Sequence, residues 1–314
     1  MTELAGRTCP VAYRYGAEAL ANCPVDSAET LYVVGGLYGN PQALDQIKTM
    51  VAAEVAPVTL VFNGDFNWFN TDDKDFQRVN QFVLQHDAMV GNVEFELNAP
   101  DNDAGCGCSY PVTVDEATVE RSNRIHARLK ATARCHPDIL AKLAALPLFR
   151  RYTVGSKTIG VVHGDAESLA GWMFDAATMG EPENQVKISS LFARSRVDIF
   201  ASSHTCLPVL RRFKLSAGRC GFVVNNGAAG MPNFRDQPSG LLTRISVHAS
   251  PHSRLYGVEL DGVLIDSLQI DYDCGLWQKN FLANWPVGSD AHHSYFSRIV
   301  VGADYTLAQA ITTD

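Results

Sequence analysis

One short run constrains this chain more than any other: the apolar, β-branched and aromatic stretch Thr59 to Asn63, which stops abruptly at Gly64 and Asp65. Leu60, Val61 and Phe62 suit a strand covered on both faces. Gly64 lets the backbone turn sharply, and Asp65 cannot be buried without a partner. Taken alone, Asp65 reads as a turn or cap residue, because aspartate after a strand is ordinary turn chemistry. It becomes a site residue only if other stretches deliver chemistry to the same strand end.

Several do. A strand at Leu31 to Val34 runs into Gly35-Gly36-Leu37-Tyr38-Gly39-Asn40 and a helix from about Pro41 to Val55, with Leu44, Ile47 and Val51 at helical spacing. After Asp65 the pattern predicts a helix near Asp73 to His86. A third strand at Ala88 to Val90 then ends in Gly91-Asn92-Val93-Glu94. The hairpin Phe149 to Val154 and Thr158 to Val162, turning at Gly155-Ser156, ends at His163-Gly164-Asp165. A helix near Asn184 to Ala193 precedes a strand at Val197 to Ala201, which ends at Ser202-Ser203-His204-Thr205-Cys206. Gly221 to Val224 leads into Asn225-Asn226-Gly227-Ala228-Ala229-Gly230. Leu241 to His248, Arg254 to Leu260 and Val263 to Ile270 read as a second set of antiparallel strands. Parallel strands present their C-terminal ends on one edge of a sheet, where open α/β sheets collect ligands. Asp65, Asn92, His163 and His204 therefore fall at one sheet edge, and two imidazoles, a carboxylate and an amide form an N/O ligand set for Zn²⁺, Mn²⁺ or Fe.

At 314 residues and 46% hydrophobic, the chain can bury a full core. The expected organisation is one domain over 1–314: a core at 31–270, a helical insertion at about 98–147, a lead-in at 1–30 and a C-terminal extension at 271–314. Arg121, Arg124 and Arg128 in the insertion are either a solvated face or phosphate contacts from a cap. The formal net charge of −8 argues against a nucleic-acid partner or an anionic membrane surface. No stretch approaches the ~20 apolar residues of a membrane span, and Met1 to Tyr15 lacks a basic, then apolar, leader pattern. The expected compartment is the cytoplasm, with most of the eight cysteines free. Cys106-Gly107-Cys108 reads as a glycine turn with two small apolar side chains, since the spacing is not Cys-x-x-Cys.

These stretches, in this order, resemble the calcineurin-like metallophosphoesterase superfamily, whose pattern is Asp-x-His, Gly-Asp, Gly-Asn-His-Asp/Glu, an isolated His, and Gly-His-x-His. The corresponding stretches are Gly36-Leu37-Tyr38, Gly64-Asp65, Gly91-Asn92-Val93-Glu94, His163-Gly164 and Ser203-His204-Thr205-Cys206. The Asn226 to Gly230 run resembles the family's Asn-Pro-Gly-Ser-x-Gly segment. The resemblance spans about residues 31 to 235 and implies a four-layer α/β/β/α sandwich. It also implies hydrolysis of a small phosphomonoester or phosphodiester by a metal-activated water. Carried over position by position, the second metal site is complete as Asp65, Asn92, His163 and His204. The first is not: Gly36 offers no side chain, Tyr38 replaces an imidazole with a phenol, and Cys206 stands for the last His. Val93 replaces the family's acid or leaving-group-stabilising histidine.

The expectation is one divalent metal per chain, with Asp65, Asn92, His163 and Tyr38 as the catalytic set. Asn67, Asn70, Asp165 and the pair His292-His293 are candidate substitutes for the lost groups. Two other readings stand beside the enzyme. One is a degenerate, non-catalytic member that binds a phosphorylated ligand or a protein partner. The other is a metal-free α/β domain in which His163 and His204 simply hydrogen-bond Asp65.

Overall fold

The computed structural model describes residues 5–100 and 103–312. Residues 1–4 of the expected lead-in, 101–102 of the expected insertion and 313–314 of the C-terminal extension lie outside the described residues. Two sheets stack face to face. The six-stranded sheet runs in the spatial order Arg254–Leu260, Val263–Ile270, Gly240–Ser246, Thr30–Val34, Val58–Asn63, Asp87–Met89. Its last three strands are parallel and its other pairings antiparallel. The seven-stranded sheet runs Asp26–Ser27, Phe149–Val154, Lys157–Val162, Ile199–Ser202, Cys220–Asn226, Pro208–Lys214, Ile311–Thr312. Lys157–Val162, Ile199–Ser202 and Cys220–Asn226 are its central parallel strands.

Side-chain alternation explains the stacking. Leu31, Val33 and Val61 point into the layer between the sheets with Ile159, Val161, Ile199 and Val224. Tyr32, Val34, Leu60 and Phe62, one residue out of phase, point to the outer face of the six-stranded sheet. There they meet the helices Pro41–Ala53, Asp73–Val83, Glu116–Ala133, Cys274–Asn284 and Asp290–Val301, through residues such as Ile47, Val79, Leu129, Phe281 and Ile299. Helices Ala17–Asn22 and Pro182–Ser195 cover the outer face of the other sheet. The result is the α/β/β/α sandwich that the sequence implied.

Three details differ from the sequence reading. The strands at 240–270 form no separate set; they extend the sheet that holds Thr30–Val34. The strand expected at 88–90 is Asp87–Met89, and the residues after Gly91 enter a short helix, Asn92–Leu97, instead of an open turn. Pro208–Lys214 is an additional strand, and the C-terminal residues supply two well-packed helices. Among the described residues, no helix is long and apolar enough to cross a membrane.

Phe62 is fully buried in the layer that joins the six-stranded sheet to its helices. Phe62→Ala should cost about 3–5 kcal/mol of stability by leaving a cavity, read as a lowered urea midpoint with an unchanged slope.

Candidate metal centre

The site lies at the seam between the two sheets. Asp65 and Asn92 follow strands of the six-stranded sheet, whereas His163 and His204 follow strands of the seven-stranded one. This corrects the expectation of a single sheet edge. The parallel strands of both sheets direct their C-terminal ends to one place, which is why four residues far apart in sequence meet there.

Glycine makes the approach possible at two points. Gly64 has φ +77°, and a Cβ there would fall 2.5 Å from the Gly91 backbone and 2.7 Å from His163 Nδ1. A Cβ on Gly91 would collide with Asp65. The two turns pack backbone to backbone, with the His163 ring against both. Asp65 itself is left-handed at φ +53° and is held there by Glu94. That carboxylate accepts hydrogen bonds from the backbone N–H groups of Asp65 (2.8 Å), Asn67 (3.1 Å) and Gly91 (3.1 Å). Burial, then the charge of Asp65, raises the Glu94 pKa to about 7.

The hydrogen bonds around the cluster set the direction of every ligand atom. His163 Nδ1 lies 2.9 Å from the Asn63 carbonyl oxygen and donates to it, so in the neutral ring Nε2 carries a lone pair. His204 Nε2 donates to the Cys108 carbonyl at 3.1 Å, leaving the lone pair on Nδ1. Asn92 donates through its amide nitrogen to the Cys106 carbonyl at 2.9 Å, which turns its oxygen inward. From His163 Nε2, Asn92 Oδ1 is 3.1 Å away, His204 Nδ1 3.2 Å and Asp65 Oδ1 3.4 Å. The ligand atoms of Asp65, His163 and His204 all lie within 4.8 Å of one another. With both imidazoles neutral, four acceptor atoms face one point with no hydrogen between them. Such an arrangement requires a cation, or failing that a second proton on His163. The donor set fits a borderline divalent metal.

The charge states agree. Burial pushes His204 down to about 3, with His163 adding to the effect. Burial would also lower His163, but the Asp65 charge and hydrogen bond, with smaller help from Asn63 and Glu94, more than offset it and leave its pKa raised. Burial pushes the Asp65 carboxyl up, but His163 and His204 outweigh it and hold the group below its ordinary value.

Beside the cluster, the positions Gly36, Tyr38 and Cys206 are packed by protein. A Cβ on Gly36 would lie 2.9–3.1 Å from the Tyr38 ring, so the phenol occupies the space that a residue-36 carboxylate would need. Tyr38 Oη and Cys206 Sγ are 2.8 Å apart, and either can be the donor. Burial raises the pKa of both, which keeps phenol and thiol protonated.

The other candidates lie elsewhere. Asp165 closes its own turn, accepting from the N–H groups of Glu167, Ser168 and Met173. Asn67 and Asn70 form a buried amide network with Asn80. His292 stacks on Phe296 and contacts His293, away from the cluster. Arg121 and Arg124 bond Ser294 and Asp290, and Arg128 lies over Trp285 at 4.3 Å; they clamp the C-terminal helices and contact no ligand position.

Sequence reasoning missed the walls. A cavity of about 200 Å³ opens onto Asp65, Asn92 and His204 and is lined by Tyr38, Trp68, Tyr110, Trp172 and Tyr295, with Val93, Cys108 and Cys206 among them. The Cys106-Gly107-Cys108 turn contributes through its carbonyls: Cys106 orients Asn92, and Cys108 accepts from both His204 and the Trp172 indole (3.1 Å). No motif marked Trp68, Tyr110, Trp172 or Tyr295. Glu94 alone carried a signal, as the acidic position of the Gly-Asn-x-Asp/Glu pattern.

No protein-family model and no curated protein sequence matches the chain. Solved structures do. A metallophosphoesterase from Sphaerobacter thermophilus superposes with a TM-score of 0.55 at 16% identity, covering 87% of this chain and 100% of its own. A hypothetical protein from Pyrococcus horikoshii OT3 gives 0.56 at 13% identity, covering 88% and 99%. At such identities the likeness speaks to architecture, and on it the chain has the fold of the metallophosphoesterase superfamily.

His163 can ligate a cation only with Nε2 unprotonated, and its pKa in the metal-free protein is raised. Metal uptake should therefore release a proton, and affinity should weaken as pH falls through that raised value. Calorimetric titration with Mn²⁺ or Zn²⁺ at several pH values checks this; affinity that stays flat between about pH 5 and 8 would contradict it.

Proposed function

We propose that this protein hydrolyses a small phosphate ester, a phosphomonoester or phosphodiester, using one divalent metal ion (Mn, Fe or Zn) held by Asp65, Asn92, His163 and His204. The observation that carries the reading is the convergence of four acceptor atoms on one point beside a cavity. The fold shared with the Sphaerobacter metallophosphoesterase supports it. An ion there supplies Lewis acidity toward a phosphoryl oxygen and lowers the pKa of an attacking water.

The chain's own groups do the rest. Asp65 supplies the one negative charge among the ligands and is aimed by the Val93 N–H at 3.2 Å and by Glu94. His163 and His204 present lone pairs because Asn63 and Cys108 take their other N–H groups. Val93 lines the cavity and can neither donate nor accept a proton through its side chain. The nearest replacement is Tyr38, whose protonated Oη lines the same cavity and can hydrogen-bond or protonate the departing oxygen. A single ion suffices for this reading because the Tyr38 ring and Cys206 occupy the place of a second. The eight cysteines, all free, fit a reducing compartment, which we take to be the cytoplasm. The partner is a small molecule and not nucleic acid or membrane, in keeping with the net charge of −8.

A second reading, a non-catalytic member that binds a phosphorylated ligand or a protein partner, is favoured by one observation: the loss of the acid at Val93 together with the filled half-site.

Elemental analysis should find about one metal per chain. Aryl phosphomonoesters and phosphodiesters should be hydrolysed by the metal-loaded protein, and His204→Ala should remove both the metal and the activity. Metal without turnover would support the binding protein, and no uptake under Mn²⁺ or Zn²⁺ would sink both. Replacing Gly36, Tyr38 and Cys206 together by Asp, His and His should raise the stoichiometry toward two, because the ring that blocks the half-site is gone. A value that stays at one would show that something else excludes the second ion.

A further inference from the structure

The cavity walls bear on what is attached to the phosphorus. Of the side chains lining the cavity, Asp65 carries the only formal charge, since His204 as a ligand spends one N–H on the Cys108 carbonyl and keeps a lone pair on Nδ1, and no lysine or arginine contributes. The Arg298 guanidinium donates to the carbonyls of Pro232 and Cys206 and to the Asn233 side chain. It braces the wall from behind.

A divalent ion together with the Asp65 carboxylate leaves one net positive charge, and the charges just behind the wall, the Glu94 carboxylate and the Arg298 guanidinium, are of opposite sign. A phosphodiester is a monoanion and matches that charge. A phosphomonoester, with a second pKa of about 6, approaches a dianion at neutral pH and would bring in a negative charge with no partner among aromatic rings. The charge inventory therefore selects the diester.

The rings point to the substituent. Tyr110, Trp172 and Tyr295 are only partly buried and stand at the rim. Trp172 is held in place by its N–H bond to Cys108 and by an edge contact with His204, with ring centroids 5.4 Å apart at 76°. Tyr110 lies 6.2 Å from it at 45°. A wall fixed before the ligand arrives offers a flat ring its stacking surface without a further ordering cost. The cavity, at about 200 Å³, is below the ~300–1,000 Å³ usual for drug-sized ligands, so a single small ring fits and a polymer does not.

On the single-metal reading above, we infer that the site takes monoanionic phosphodiesters bearing one flat aromatic group, an aryl or nucleobase ring lying against Trp172, in preference to monoester dianions. Three small probes separate the terms when they compete, at pH 8, against a chromogenic reporter ligand on the metal-loaded protein. Methyl phenyl phosphate carries the ring and one charge, dimethyl phosphate the charge without the ring, and phenyl phosphate the ring with two charges. Methyl phenyl phosphate should bind tighter than either of the others by roughly tenfold, the scale of one good ring contact. Trp172→Ala should bring its advantage over dimethyl phosphate close to one while metal content stays at about one per chain, and Trp172→Phe should keep most of it. Equal or tighter binding of phenyl phosphate overturns the charge argument, and an undiminished ring preference in Trp172→Ala overturns the wall assignment. A metal-loaded protein that shows the preference but hydrolyses no ester defeats the enzyme reading alone, and a chain that takes up no metal defeats both.

Discussion

The hydrogen bond from His163 Nδ1 to the Asn63 carbonyl is the contact on which the rest of the centre depends. It crosses from one sheet to the other at the point where the strand Val58–Asn63 ends, and it does two things. It ties the C-terminal ends of both parallel strand sets together, and it commits the remaining ring nitrogen to face Asp65, Asn92 and His204. The same logic repeats at Cys106 and Cys108, whose carbonyls commit Asn92 and His204. Backbone acceptors, which no side-chain substitution removes, thus preorganise the ligand set.

Gly36, Tyr38 and Cys206 act together beside the centre. Removing the residue-36 side chain is what lets the Tyr38 ring lie down over the backbone there, and the ring in turn reaches Cys206. A side chain at residue 36 alone would meet the Tyr38 ring. Tyr38 and Cys206 both have positive φ, 54° and 59°, so the backbone on each side of the gap keeps the tight turns a ligand loop would use while the side chains close it. The cavity that results is a box of rings around one charge.

Many elements of the frame were legible because their signals are local, such as the Pro41 start, the glycine turn after Val154 and the apolar run Leu31 to Val34, while the α/β/β/α stacking came from the resemblance. Pro208–Lys214 escaped because a leading proline and the pair Arg211-Arg212 interrupt its alternation. The walls of the cavity escaped for a different reason. Trp68, Tyr110, Trp172 and Tyr295 come from four separate segments, and each looks like an ordinary core or rim aromatic until the chain brings them together. The arginines of Glu116–Ala133 read equally well as a solvated face or as phosphate contacts. Their targets, Asp290 and Ser294 on helix Asp290–Val301 and Trp285 just after helix Cys274–Asn284, belong to segments with no motif of their own.

By itself the sequence determined which residue types stand at the strand ends, and in what order. Taken with the resemblance those stretches carry, that order gave the candidate ligands Asp65, Asn92, His163 and His204 and the lack of a second set at Gly36, Tyr38 and Cys206. Tertiary structure decided that the ligands come from two sheets and that their acceptor atoms converge. It also decided that a phenol fills the space left by the missing carboxylate and that aromatic rings build the walls. The physical reason is range. Strand ends and turns are written in a few neighbouring residues, whereas a shared point in space depends on pairings between residues up to 100 apart in the chain.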